Sequence, residues 1–306
     1  HQVVSCPQCG ILAPEMDAVR DAVVDYMNQY RVSAYDEGSG TGLVRHIYVR
    51  KGWVSGQLLV CLVVNGTRLP RQEALLERLQ RIPGFATLVL SVHQKPGNAV
   101  LGNTFHTLYG PGWIEDTLCG LTFRLSPRSF YQVNHDQAER LYELAIAGAG
   151  IQKTDVVLDL YCGVGTITLM LARHAARVIG IEIVPDAIRD AKENARLNGV
   201  ENAQFYCGAA ESILPELVRQ GLRPDVIVLD PPRKGADEAV LRAIAVAQPA
   251  RVVYISCNPA TQARDARILC AMGYAAQRCQ PVDMFCQTAG VENVMLFERQ
   301  QAAEQP

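Results

Sequence analysis

The 306 residues, 49% hydrophobic and 20% charged, describe a globular chain long enough for two domains with sizeable cores. A net charge of −2 announces no nucleic-acid partner, so any basic surface has to be local. No apolar run approaches the roughly 20 residues of a membrane span, the start HQVVSCPQCG lacks a signal-peptide layout, and ten scattered cysteines lack the spacing of a disulfide scaffold. These features lead to the expectation of a cytoplasmic protein with reduced thiols and no membrane partner. A first residue of His1 rather than Met, with Cys6 and Cys9 in a C-x-x-C close behind, reads as a chain lacking an N-terminal portion.

Residues 14–30 place Met16, Val19, Val23, Val24 and Met27 at helical spacing behind acidic residues of a first turn. The period then changes. Residues 42–50 alternate apolar with polar, 56–65 form a β-rich run, 71–81 read as a helix and 87–92 as another strand. This is a small α+β domain with helices on one face of an expected antiparallel sheet. Arg45, His46, Arg50 and Lys51 lie on or beside one strand, where a solvated face competes with a phosphate contact. Glycines and short apolar stretches over 98–126 suggest hairpins, and the domain boundary is expected after residue 127, giving domains 1–127 and 128–306.

From His135 helices and strands alternate. Strands are expected at 156–160, 177–183, 203–206, 225–229 and 252–256, each followed by a helix, and the chain closes with strands at 275–279 and 291–298. Nearly all-apolar strands in such alternation imply a parallel sheet covered on both faces, with ligands bound beyond the strands' carboxyl ends.

Three stretches carry chemistry. In VVLDLYCGVGTI, Asp159 comes near a strand end and Gly163 and Gly165 enter a helix, while Glu182 ends the next strand and can accept hydrogen bonds from two ribose hydroxyls. The phosphate fingerprint G-x-G-x-x-G is incomplete, which favours S-adenosylmethionine over NAD; Asp159 and Glu182 suit a sulfonium cation. Gly208, Ala209 and Ala210 could border an adenine. The alternative for all of these is an ordinary βα turn. In VIVLDPPRKG, Asp230 ends a strand and two prolines fix the loop after it. In VVYISCNPAT, Cys257 stands where a strand gives way to a helix, near N-terminal amides expected to lower its pKa and favour the thiolate. By itself such a cysteine reads as a small buried hydrophobe; beside Asp230 it reads as a nucleophile. Glu292 opens the last strand, after a loop holding Phe285, Gln287 and Thr288.

A thiolate, a strand-end Asp and a late Glu on one cleft rim suit one difficult reaction. Carbon 5 of uracil is a poor nucleophile until a thiolate adds to carbon 6; after methyl transfer a base has to remove the proton on carbon 5. Nitrogen methylation needs no cysteine.

With these residues in place, the sequence resembles the RNA (uracil-5-)-methyltransferase family, especially its bacterial 23S ribosomal RNA branch. The likeness runs through GLVRHIYVR, LGNTFHTLYGPG, SPRSFYQVN, VLDLYCGVGTI, GIEIVPDAI, VLDPPRKG, VVYISCNPAT and VDMFCQTAGVE, and the gap of sixteen residues between DPPRKG and VVYISCNPAT is specific. The resemblance implies a Rossmann-like S-adenosylmethionine-dependent methyltransferase domain preceded by the smaller α+β domain. It implies Cys257 as nucleophile, Glu292 as proton acceptor, and Gln132, Tyr161, Glu182 and Asp230 as cofactor contacts. The resemblance implies 23S rRNA as the RNA partner, with tRNA as the rival substrate and a non-catalytic RNA-binding module as the rival class. Phe130, Tyr131 and Phe285 could stack on an unstacked base, or fill core beside a strand. The chain departs from the family pattern at Cys286, where Pro is usual, and at Gly290, where His is usual. Members of the branch often hold an iron-sulfur cluster on four cysteines; Cys6 resembles the last ligand, the preceding three are absent, and no complete cluster or zinc site is expected. Cys6 and Cys9 read as a cluster remnant or as free thiols.

Overall fold

The structure, a computed structural model, describes residues 9–97 and 99–300. The chain divides into two compact units, one running through Thr117 with Arg124–Arg128, the other taking Leu118–Phe123 and everything from Ser129.

In the first unit, helix α1 (Pro14–Tyr30) begins with proline, carries Glu15 and Asp17 in its first turn where the helix dipole favours them, and ends at Arg31 in a left-handed conformation. Strands β1 (Val44–Lys51), β2 (Leu58–Val64), β3 (Phe85–Val92) and β4 (Thr104–Tyr109) form a sheet in the order β1-β2-β3-β4. All seven residues of β2, LLVCLVV, are buried, as an unbroken apolar run requires of a central strand. Val19, Val23 and Tyr26 of α1 and Leu75 and Leu79 of α2 (Gln72–Leu79) pack on Val60, Leu62, Leu88 and Leu90. The expected antiparallel sheet is corrected: β2 and β3 are parallel, while β1 and β4 pair antiparallel with their neighbours. The cause is α2. A helix between two neighbouring strands carries the chain back to the starting edge, so the second strand repeats the direction of the first.

Strands β5 (Ile114–Leu118) and β6 (Leu121–Leu125) make a two-stranded hairpin. In the second unit, β7 (Val156–Leu160), β8 (Arg177–Glu182), β9 (Ala203–Cys207), β10 (Val226–Leu229), β11 (Arg251–Ser256), β12 (Tyr274–Val282) and β13 (Glu292–Arg299) form one sheet ordered β12-β13-β11-β10-β7-β8-β9. The first five are mutually parallel, and β13 lies antiparallel between β11 and β12. Helices α3 (His135–Ala149), α4 (Thr166–Ala172), α5 (Pro185–Leu197), α6 (Ala210–Arg219), α7 (Glu238–Ala247) and α8 (Pro259–Ala271) alternate with the strands. Leu158, Ile179, Ile227, Val252 and Tyr254 pack with Leu214, Leu241, Ile244 and Leu269 of the covering helices in one core. The strand order runs outward in both directions from β7 and β10, and that reversal opens a crevice at their carboxyl ends, as expected of a Rossmann-like sheet. Among the described residues no helix is long and apolar enough to cross a membrane.

Candidate active site

The carboxyl ends of β7, β8, β9, β10 and β11 border a cavity of about 790 Å³ in the second unit. On one side the loop after β7 turns through Tyr161 (φ 68°) and Gly163 (φ 54°), both left-handed. A Cβ on Gly163 would meet nothing within 4 Å, so the backbone there faces open space into which a ligand can approach. Glu182 ends β8, and two backbone amides aim its carboxylate: Gly163 N–H donates to Oε2 (3.2 Å) and Val184 N–H to Oε1 (2.8 Å). Ile181, Ile183, Ala209, Ala210 and Pro231 give the cavity apolar wall, with Tyr161, Gln132 and Glu211 on its lining. An apolar slot ending at an oriented carboxylate fits an adenosyl group with a ribose diol.

Two expected cofactor residues lie elsewhere. Asp159 is fully buried, is not part of the cavity lining, and accepts a hydrogen bond from Thr168 Oγ1 (2.5 Å). Burial pushes its carboxyl up to about 7 against the Thr168 hydrogen bonds, and Glu182 adds to the rise. Gly165 (φ 86°) is also off the lining; a Cβ there would sit 3.3 Å from Ala191 and 3.4 Å from Phe205, so this glycine lets α4 pack closely instead of touching a ligand.

On the other side, β10 delivers Asp230 and the Pro231-Pro232 turn, and four side chains from α8 and its cap hold the loop that follows. Asn258 Nδ2 and Thr261 Oγ1 donate to Arg233 O (3.1 and 3.3 Å), and an Arg264 guanidinium nitrogen donates to Lys234 O (3.0 Å). Buried Asp265 accepts from Ala236 N (2.8 Å) and from the Tyr254 hydroxyl (2.7 Å). The same helix presents Cys257: β11 ends at Ser256, Asn258 caps α8 by accepting from Ala260 N (3.1 Å), and Pro259 opens the first turn. Ser256 pairs with Asn293 across the antiparallel ladder, so Glu292, 4% exposed, stands at the end where Cys257 leaves its strand. Asn293 in turn hydrogen-bonds Gln262 of α8 and Cys279 of β12. Cys257, Glu292, Asp230 and Arg233 all line the cavity.

These groups set one another's protonation. Burial pushes the Cys257 thiol above its ordinary value, and the Glu292 and Asp230 carboxylates push it further, against the pull of Arg233. The expected lowering by helix amides is therefore corrected: the fold brings two carboxylates to the thiol, and together with burial they outweigh the helix end. Burial likewise raises Glu292, opposed by Arg233. Asp230 is pushed to about 8 by burial, then by Glu292 and Asp159. Arg233 and Lys234 escaped the sequence reading, although both stood in VLDPPRKG beside Asp230.

The rim is aromatic and apolar. Phe130 is 70% exposed and Phe285 36%, and both line the cavity with half-buried Tyr131, whose ring also leans on Phe123 at 6.3 Å. Cys286 is exposed, and its Sγ lies 3.8 Å from Asp283 O. Cys9 is a free thiol and Cys6 lies outside the described residues. Among the described residues no group of three or more His, Cys, Asp or Glu could hold a metal ion.

The profile of the tRNA (Uracil-5-)-methyltransferase family matches residues 117–300. The chain belongs to this family. It is 44% identical over 299 residues to an uncharacterized RNA methyltransferase of Halalkalibacterium halodurans, covering 97% of this chain and 65% of the relative. It is 42% identical over 300 residues to one of Enterococcus faecalis, covering 98% and 66%. This uracil-5-methyltransferase-family chain thus spans about two thirds of the length of the curated relatives it matches. Among solved structures, the Pyrococcus abyssi tRNA (uracil-54, C5)-methyltransferase in complex with S-adenosyl-L-homocysteine superimposes with a TM-score of 0.83 over 97% of this chain and 70% of that one, at 24% identity. That likeness establishes the Rossmann-like methyltransferase fold.

Proposed function

We propose that this chain is the catalytic part of an S-adenosylmethionine-dependent enzyme that methylates carbon 5 of a uridine in RNA, with Cys257 bonded transiently to carbon 6. The observation that carries the reading is the meeting of a thiol and a buried glutamate on one cavity wall, beside a slot suited to an adenosyl group. Family membership and the chemistry of Glu182, Gly163 and Gln132 support the cofactor.

S-adenosylmethionine supplies an electrophilic methyl group when bound. Phe130 and Phe285 offer faces for a uracil leaving its stack, which costs roughly a few kcal/mol. Cys257 releases its proton to water and its sulfur adds to carbon 6; the carbon 5–carbon 6 π pair moves toward carbon 5 and the carbonyl at carbon 4. Carbon 5 takes the methyl. Glu292, whose basicity burial increases, accepts the proton left on carbon 5. The freed C–H pair restores the double bond, the sulfur–carbon bond breaks, and the thiolate returns.

The favoured RNA is 23S ribosomal RNA, because the motifs resemble that branch; tRNA is the second reading, since the Pyrococcus abyssi neighbour is a tRNA enzyme. Incubation with methyl-labelled cofactor and each RNA in parallel separates them. Label is expected in 23S rRNA with wild-type protein and none with Cys257→Ala, and 5-fluorouridine RNA is expected to form a stable adduct on Cys257. Label persisting in Cys257→Ala refutes the covalent step. RNA binding by the wild type without incorporation leaves a binding module.

A further inference from the structure

Between β6 and α3 the chain crosses the cavity rim as an irregular strap, residues 129–134, and between β12 and β13 it forms a second irregular segment, residues 283–291. The strap carries Phe130 and Gln132 into the cavity; the second segment carries Phe285 and leads into Glu292. Each is tied down internally. In the strap, Ser129 Oγ lies 3.2 Å from Asp190 Oδ2 of α5. In the second segment, Thr288 Oγ1 donates to Phe285 O (2.7 Å) and accepts from Gly290 N (3.1 Å).

One side chain joins the two. Asn134 caps α3, its Oδ1 accepting from Gln137 N (3.4 Å), and its Nδ2 donates to Met284 O (3.0 Å), the carbonyl just before Phe285. The division of labour within this carboxamide is informative. A helix cap needs only an acceptor, which Asp or Ser supplies as well as Asn. The donor half is surplus to capping and is spent on a buried neighbour, Met284, 1% exposed, in a segment 150 residues further along the chain. Gln132, two residues before Asn134, and Phe285, one residue after Met284, both line the cavity; on the functional reading the first faces the cofactor and the second the target base.

We propose that Asn134 is a positioning residue that transmits occupancy of the cofactor slot to the loop that receives the target base. This inference rests on the functional reading above. Filling the slot fixes the strap through Gln132, and the Asn134–Met284 hydrogen bond carries that order to residues 283–291, so that cofactor binds first and prepares the rim for RNA. A coupling through one hydrogen bond between two rim segments falls in the usual range of allosteric factors, about tenfold.

Hydrogen–deuterium exchange with S-adenosylhomocysteine as probe, without RNA, tests it on the full chain. In wild-type protein the probe slows exchange about tenfold both in 129–134 and in 283–291. In Asn134→Asp and in Asn134→Ser, which keep a cap acceptor and lose the carboxamide N–H that reaches Met284 O, the probe still protects 129–134 and no longer protects 283–291, while affinity for the probe and melting temperature stay near wild type. Retained protection of 283–291 in both variants overturns the inference. So does a parallel loss of melting temperature and strap protection, which would make Asn134 a helix cap alone. Wild-type protein that binds no S-adenosylhomocysteine by calorimetry removes the functional reading itself, an outcome distinct from binding without coupling.

Discussion

Cys257 sits against two acidic side chains whose ionised forms oppose the chemistry it is assigned, and the opposition has a measurable consequence. With its pKa above the ordinary thiol value, the free protein at neutral pH holds a neutral sulfur, and proximity of Glu292 is the largest cause after burial. Glu292→Gln removes that negative charge while keeping the shape. The thiol pKa falls, the thiolate fraction near neutral pH rises, and iodoacetamide should label the Cys257 peptide several-fold faster than in wild type. Arg233→Ala should slow labelling, because the guanidinium is the charge that opposes the rise. Turnover moves the other way in Glu292→Gln, with methylated RNA accumulating as an adduct because the proton on carbon 5 has no acceptor. Mass spectrometry of the Cys257 peptide reads both effects. Equal labelling rates in wild type and Glu292→Gln would separate the two residues electrostatically and dissolve the pair.

At the scale of elements, the site depends on how α8 holds the loop after β10. Asp265 is wholly buried and serves the Ala236 amide and the Tyr254 hydroxyl together, with Arg264 alongside at 2.8 Å. Asp265→Ala leaves the buried Tyr254 hydroxyl without its acceptor and the Ala236 amide with that hydroxyl alone, so urea denaturation should show a loss of about 1–3 kcal/mol. Loss of that anchor also loosens Ala236 and the Arg264 side chain that holds Lys234 O, so activity at permissive temperature should fall beyond the unfolded fraction; a stable, fully active variant would contradict the clamp. Much of this element pattern was legible in the sequence, because buried parallel strands write themselves as runs such as VVLDL and VIVL, and Asn258 and Pro259 mark a helix start by their chemistry. The parallel pairing of β2 with β3 was missed although the helix between them was read, since only that helix, not the strands, announces the direction. The place of Asp159 near a strand end is visible in sequence, while its burial off the cavity lining and its hydrogen bond from Thr168 are not. The pairing of Cys257 with Glu292 is set by the register of β13 on β11, and the charge balance at the thiol follows from that long-range pairing; neither is written in local sequence.

Over the whole molecule, each unit has its own core, and the second places two carboxyl groups where the folded chain keeps them protonated. Asp159 and Asp230 have values of about 7 and about 8 in the folded state, against roughly 3.9 in an unfolded chain. From about pH 4 upward the unfolded chain releases both protons while the folded chain retains them, so the folded state binds more protons and stability falls as pH rises, until the folded groups ionise near 7–8. The lowered carboxylates, Glu15 and Asp36, act with the opposite sign, but their contribution is lost only on acidification through the ordinary carboxylate range; His93, lowered by burial and Arg45, also acts with the opposite sign and offsets part of the trend below about pH 6.5, one group against two. The melting temperature of the free protein, followed by circular dichroism, should therefore decline between about pH 5 and pH 7.5. Asp159→Asn keeps an oxygen for the Thr168 hydroxyl and cannot ionise in either state, so it should flatten that decline, and Asp230→Asn should flatten it further. A wild-type melting temperature that climbs steadily across this interval would mean that the two carboxyls are ionised in the folded protein.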